Sequence, residues 1–170
     1  ILPKGNTGFR KLAVATRPLH WNLIDPARNK FLARLPITAR VQIDGYRFQL
    51  LHATPRDPMD EYAPADPAFW APRLAGLGAD FVCVGHTHQP YTLEVNGVTV
   101  INPGSVGLPR DGDPRAGYAV LTVTEAGVQV ELKRIDYPAD QTVRTAIFLA
   151  SHSPERGVRA VCTLGWGRSA

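Results

Sequence analysis

A mixed α/β fold, with buried parallel-type strands at the centre and antiparallel hairpins at the margins, is what the pattern of this chain encodes. Two observations carry that reading. Helix-start signals precede short, wholly apolar runs, as in Asp66-Pro67 followed by Phe81-Val82-Cys83-Val84, and three paired runs flank hairpin turns. A sheet sandwich with flanking helices satisfies both.

The first twenty residues give little pattern beyond the turn-like Gly5-Asn6-Thr7-Gly8. From Asp25 a helix is expected, with Asp25 as N-cap, Pro26 at the first helical position and Pro36 beyond its end. Phe31, Leu32 and Leu35 supply its apolar side. Val41-Gln42-Ile43 and Phe48-Gln49-Leu50 then flank Asp44-Gly45, a pair that accepts the positive φ angles of a type I′ turn. Asn96-Gly97 plays the same part between Leu93-Glu94-Val95 and Val98-Thr99-Val100. A longer loop, Glu125-Ala126-Gly127, separates strands expected over 118–124 and 128–135. There Val128, Val130 and Leu132 alternate with Gln129, Glu131 and Lys133, which implies one polar face. Between the hairpins, Phe69, Trp70, Leu74 and Leu77 fit a helix begun at Asp66-Pro67, with Gly78 suited to its end. A helix is expected from the spacing of Val143, Ala146, Ile147 and Ala150, a short one from Ser153-Pro154-Glu155, and a frayed end over 165–170.

The chain has 170 residues, 44% apolar and 20% charged, which suits a single globular domain over 1–170. Its net charge is only +4 and its basic residues are scattered, so no nucleic-acid patch is expected. No apolar run approaches the roughly 20 residues that span a bilayer. Two cysteines, Cys83 and Cys162, make no disulfide framework, and a buried free thiol at Cys83 fits a reducing, cytoplasmic setting. The opening Ile1-Leu2-Pro3 carries neither an initiator Met nor a secretory core, which implies a processed chain or a fragment.

The candidate chemistry lies in the histidines. His86 and His88 follow directly on a buried strand, and in extended backbone side chains two apart share a face and converge. The C-terminal ends of such strands are where α/β sheets place ligands, and neutral imidazole is a common metal ligand. Alone, a His-x-His is more often a surface or satisfied core pair than a ligand pair. His52, at the end of the apolar run Leu50-Leu51, adds a second strand end that delivers an imidazole to a loop. His20 and His152 lack that context and read as exposed.

Three motifs occur in order: Leu51-His52-Ala53-Thr54-Pro55, Gly85-His86-Thr87-His88-Gln89-Pro90 and Asn102-Pro103-Gly104-Ser105-Val106-Gly107. With the continuation Pro109-Arg110-Asp111-Gly112-Asp113-Pro114-Arg115-Ala116, they resemble the calcineurin-like metallophosphoesterase superfamily, in its bacterial phosphodiesterase-type branch. The resemblance covers about residues 25–137. It implies a two-sheet αββα sandwich with a dinuclear centre of Mn, Fe or Zn ions at strand ends, where a bridging hydroxide attacks the phosphorus of a phosphate ester. On matching positions, His52 and His86 would ligate one metal and His88 the other, with Gly104 structural beneath the site. Arg56, Arg110 and Arg115 read as solvated surface arginines, with phosphate contact as the alternative. Asp57, Asp60, Asp111 and Asp113 read as turn caps.

The sequence departs from the family pattern upstream. It has no Asp-x-His and no Gly-Asp pair before His52; Gly5-Asn6-Thr7-Gly8 stands as a remnant of the third motif, with Asn6 as its metal ligand and Thr7 in place of a histidine. The resemblance thus implies a sandwich lacking its first strands, truncated at the N-terminus, whose exposed sheet edges favour association. Three readings follow: a metal-dependent phosphoesterase, foremost a phosphodiesterase, active in its full-length form, a non-catalytic scaffold of the same fold that binds at most one metal, and a degenerate fragment that folds poorly or only with a partner.

Overall fold

Local chemistry sets the boundaries of most elements in the computed structural model, which describes residues 17, 21–138, 140, 141 and 144. The pattern residues of the elements expected over 1–16 and from Val143 onward, together with Asn6, His20, His152 and Cys162, lie outside the described residues. Helix α1 spans Pro26–Ala33 and begins as expected: the Asp25 carboxylate accepts from the backbone N–H groups of Ala27 and Arg28, and Pro26 opens the helix. Phe31, Leu32 and Leu35, expected to supply a buried side, are all at least half exposed.

Contacts along the chain separate the segment carrying α1 from a compact unit, Pro36–Tyr137, that holds every other element described below. Strands β1 (Thr38–Ile43) and β2 (Tyr46–Leu51) form a hairpin whose turn residues, Asp44 and Gly45, have φ of 48° and 85°. Both positive angles are those of a type I′ turn. Helix α2 (Pro67–Leu74) is capped by Asp66, and β3 (Phe81–Cys83) follows. Helix α2 stops at Leu74, before Gly78: Ala75 is extended, at ψ 122°, and Gly76 follows in left-handed backbone at φ 69°. A second hairpin joins β4 (Tyr91–Val95) to β5 (Val98–Asn102) through Asn96-Gly97, again at positive φ.

These five strands form one mixed sheet in the order β1-β2-β3-β5-β4. The three central strands are mutually parallel and the outer two antiparallel to their neighbours. Strands β6 (Ala116–Thr124) and β7 (Gly127–Ile135) form a separate two-stranded sheet. Gly127 pairs with Thr124, so the loop between them is Glu125-Ala126 alone and β7 begins one residue earlier than the sequence pattern suggests.

Burial explains why β3 is apolar throughout. One side chain set, with Val82 and Val100, packs with Trp70 and Leu74 of α2. The alternate set, Phe48, Phe81 and Ile101, packs against Ala119, Leu121, Val128 and Val130 of the second sheet. Strands covered on both faces cannot alternate polar and apolar residues. In β7 the expected alternation holds at Val128 and Val130 and lapses at Leu132, which is 40% exposed. The unit is therefore helix on sheet on sheet, in agreement with the expected mixed sandwich. No helix among the described residues is long and apolar enough to cross a membrane.

Candidate metal centre

Because β2, β3 and β5 are parallel, their C-terminal ends point the same way, and each empties into one of the three motifs. The end of an α/β sheet where strands finish is the usual place for a ligand. His52 follows β2, Gly85 to His88 follow β3, and Asn102 closes β5. Backbone bonds lock the loops together: Val84 N–H donates to Ile101 O (2.8 Å) and Gly85 N–H to His52 O (2.9 Å).

The structure brings His52 and His86 into contact. Their rings lie edge to face with centroids 4.8 Å apart, and His86 Nδ1 stands 3.0 Å from His52 Nε2. At that distance one nitrogen donates to the other, or both lone pairs meet one cation. Two nitrogens each about 2.1 Å from a metal and at right angles are about 3.0 Å apart, so the pair already has the spacing of adjacent ligands. His86 Nε2 is buried and without a hydrogen-bond partner among the described residues, so this ring is not a satisfied core histidine. Burial, and then the charges of His86 and His88, lower the pKa of His52, which favours the neutral, metal-binding form.

His88 does not touch that pair. Its Nδ1 is 2.6 Å from the carbonyl oxygen of Leu108. A carbonyl only accepts, so Nδ1 carries the proton and Nε2 presents its lone pair, the tautomer that a backbone acceptor imposes on metal-binding histidines. His88 O in turn accepts from Arg110 N–H at 3.2 Å. The chemistry of these donors fits a divalent cation: two imidazoles form one corner of a centre and a third stands nearby. Among the described residues no group of three or more His, Cys, Asp or Glu side chains assembles, and Asn6 is outside them.

The expectation of an extended His-x-His is corrected. His86 and His88 adopt left-handed backbone, with φ of 63° and 60°. Gly85 O accepts from Thr87 N–H at 2.7 Å, which turns the chain sharply between them. Among the described residues the other non-glycine positive-φ positions are Asp44 and Asn96, both in hairpin turns. Each such residue costs of the order of 1 kcal/mol, and such strain persists where surrounding contacts over-determine it. The tight exit thus rests on the histidines rather than on Gly85, whose φ is not positive.

The residue that over-determines the turn is Asn102, fully buried and given no role by the sequence reading. Its Nδ2 donates to Gly85 O (2.8 Å) and to Thr87 Oγ1 (3.0 Å), gripping His86 from both sides, while its Oδ1 accepts from Gly104 N–H (3.0 Å). Beneath, Gly104 is required by its φ of 90° more than by space, since a Cβ there would meet Pro90 at an ordinary 3.4 Å. The tighter approach is at Gly117, where a Cβ would lie 2.5 Å from Pro103 O.

Several polar residues play structural parts. Asp57 Oδ1 accepts from Met59 and Asp60 N–H groups, and Asp111 and Asp113 likewise accept from N–H groups two residues on, as expected of turn caps. Arg115 pairs with Asp113 (2.7 Å) and Arg56 with Glu61. Glu61 was not singled out in the sequence. It also receives Arg73 (2.6 Å) and the Thr54 hydroxyl, two residues beyond His52, and Arg73 lies over the Phe69 ring. The Arg73 hydrogen bonds foremost hold Glu61 at a pKa of about 2, below its ordinary 4.5. A depressed carboxylate pKa stabilises the fold above the unfolded value, and that stabilisation is lost as pH falls from about 4.5 toward about 2. Asp80 and Asp113, also near 2 but from an ordinary 3.8, add to the loss only from about pH 3.8 downward. Urea midpoints measured from pH 6 to pH 2.5 are expected to fall steeply below pH 4.5, and Glu61→Gln to remove part of that slope while lowering stability at pH 6 by roughly 2 kcal/mol.

Known proteins place this fold. Residues 21–126, more than half of the chain, match the family model described as the calcineurin-like phosphoesterase superfamily domain. An uncharacterised protein of Methanocaldococcus jannaschii is 32% identical over 124 residues, 64% of this chain and 49% of the relative. A probable metallophosphoesterase of Methanothermobacter thermautotrophicus is 39% identical over 62 residues, 36% of this chain and 35% of the relative. The chain thus spans half or less of these curated relatives. The crystal structure of a metallophosphoesterase from Sphaerobacter thermophilus superposes with a TM-score of 0.62 at 28% identity, covering 95% of this chain and 72% of the other. A hypothetical protein from Pyrococcus horikoshii shares the fold at a TM-score of 0.72 and 19% identity, over 92% of this chain and 60% of the other. The family model, which spans the motif-bearing strand ends, shows that the chain belongs to the calcineurin-like phosphoesterase superfamily, a family of metal-dependent phosphoester hydrolases.

Proposed function

We propose that the protein hydrolyses phosphate esters, phosphodiesters among them, at a divalent-metal centre to which this chain contributes His52, His86 and His88. The observation that carries the reading is the 3.0 Å approach of His86 Nδ1 to His52 Nε2 at the ends of parallel strands. A divalent cation supplies Lewis acidity there and makes bound water a nucleophile at neutral pH. The protein's own part is to keep His52 neutral through burial and neighbouring charge, to orient His88 through its bond to Leu108 O, and to position His86 through the Asn102 grip on its flanks. A dinuclear centre needs ligands beyond these three, and Asn6 belongs to the proposal as one of them. Mn, Fe and Zn are its candidate metals. A cytoplasmic setting, the absence of nucleic-acid and membrane partners, and association through an edge such as β1, where Val41 and Ile43 are exposed, complete the reading.

The test is Mn²⁺ binding by calorimetry together with turnover of a chromogenic phosphodiester. His86→Ala is expected to weaken binding roughly a hundredfold or more and to abolish turnover, with an unchanged circular-dichroism spectrum. Metal binding without turnover by the folded wild-type chain would favour the non-catalytic scaffold, and unchanged Mn²⁺ affinity in His86→Ala would remove His86 from the centre.

A further inference from the structure

Tyr62 is the one ring that contacts His86 from outside the histidine pair among the described residues, with centroids 4.4 Å apart and planes inclined by 54°. It is nevertheless 57% exposed, and its hydroxyl makes no hydrogen bond among the described residues. Its neighbours leave it no inward alternative. Glu61 is fixed by Arg56, Arg73 and Thr54, while Ala63 is buried and its carbonyl accepts from the Tyr91 hydroxyl at 3.4 Å. The loop behind it is closed by Ala53 N–H to Pro58 O (2.9 Å) and Thr54 N–H to Asp57 O (3.1 Å). An aromatic side chain is thus held at the lip of the histidine corner by a rigid loop, with more than half its surface facing solvent. A ring anchored on a hydrogen-bonded loop against His86 presents a flat face that binds a planar group at little further entropic cost.

We infer that Tyr62 is a stacking platform for the substrate, and that the protein takes phosphoesters bearing a planar aromatic group, such as a nucleobase. This rests on the metal-dependent phosphoesterase reading above. The phosphate reaches the His52–His86 corner while the planar group lies on the solvent face of Tyr62. Stacking of a base on an aromatic side chain is sequence-tolerant and contributes through the π face alone, so Phe should replace Tyr62 and Ala should not.

The test is calorimetric and independent of turnover. The Mn²⁺-loaded full chain is titrated with adenosine 5′-monophosphate and with ribose 5-phosphate, which carries the phosphate without the ring. The wild type is expected to bind the nucleotide roughly tenfold more tightly. Tyr62→Phe should keep that preference, and Tyr62→Ala should erase it while leaving ribose 5-phosphate affinity unchanged. Equal affinities in the wild type, a preference that survives Tyr62→Ala, or an equal loss of both ligands in that variant each overturn the inference. If ribose 5-phosphate binds without any nucleotide preference, stacking alone fails; if neither ligand binds, the phosphoesterase reading fails with it.

Discussion

Replacing Asn102 by Leu is expected to destabilise the protein by about 3–5 kcal/mol and to disable metal binding at the same time. Leucine keeps the branching but is bulkier, so the change removes the three hydrogen bonds and adds overpacking at a fully buried position. Gly85 O, Thr87 Oγ1 and Gly104 N–H all lose the one residue that joins them, at a position with no exposure to water. A buried polar group without a partner costs about 1–3 kcal/mol. The loss has a second consequence, because the left-handed backbone at His86 persists only while its neighbours are held. Chemical denaturation of the variant should show the lower midpoint. Calorimetry at a temperature where the variant is still folded should show Mn²⁺ affinity reduced at least tenfold. Asn102→Asp offers the sharper comparison: it keeps an acceptor for Gly104 N–H but loses both donors, so metal binding should fail there too. Wild-type Mn²⁺ affinity in either folded variant would sever Asn102 from the site.

The second large effect is expected at Trp70. Its side chain is completely buried between α2 and the sheet, beside Val82, Val84 and Val100, and its indole N–H donates to Pro64 O at 3.0 Å. Trp70→Ala should cost about 3–5 kcal/mol, the sum of lost apolar transfer and an imperfectly closed cavity. Trp70→Phe retains most of the apolar surface and should cost less than half as much, chiefly through the orphaned Pro64 carbonyl. Thermal unfolding distinguishes the two: for a protein of this size the alanine variant should melt roughly 10 °C lower. A shift below 3 °C would show that α2 is not the main cover of this face. Because Val84 leads directly into Gly85, the loosened face also bears on the histidine loop, and a modest loss of metal affinity should accompany Trp70→Ala.

The parts of the fold that were legible in the sequence are those governed by near neighbours. Asp25 and Asp66 cap their helices with bonds to N–H groups two or three residues away, and Asp44-Gly45 and Asn96-Gly97 turn because those residues tolerate positive φ. The motif histidines were legible as strand-end residues for the same reason, since an apolar run and its boundary are local. The end of α2 was not: Gly78 looks like a helix stop, but the helix ends at Leu74, where Ala75 turns extended ahead of left-handed Gly76. Nor was the Glu61–Arg73 pair, whose members are twelve residues apart and meet only when the loop after His52 folds over α2.

The sequence by itself determined the family and the identity of the candidate ligands, because His52, Gly85-His86-Thr87-His88 and Asn102-Pro103-Gly104 stand in order along one chain. Only the tertiary structure decided that His52 and His86 meet while His88 turns to Leu108, that both motif histidines are left-handed, that Asn102 braces the turn between them, and that Tyr62 lies against the His86 ring. The physical reason is parallel pairing. It sets β2, β3 and β5 side by side from segments whose partners, Phe48 with Phe81 and Phe81 with Thr99, are distant along the chain, and contacts across their ends depend on a register that no local pattern encodes.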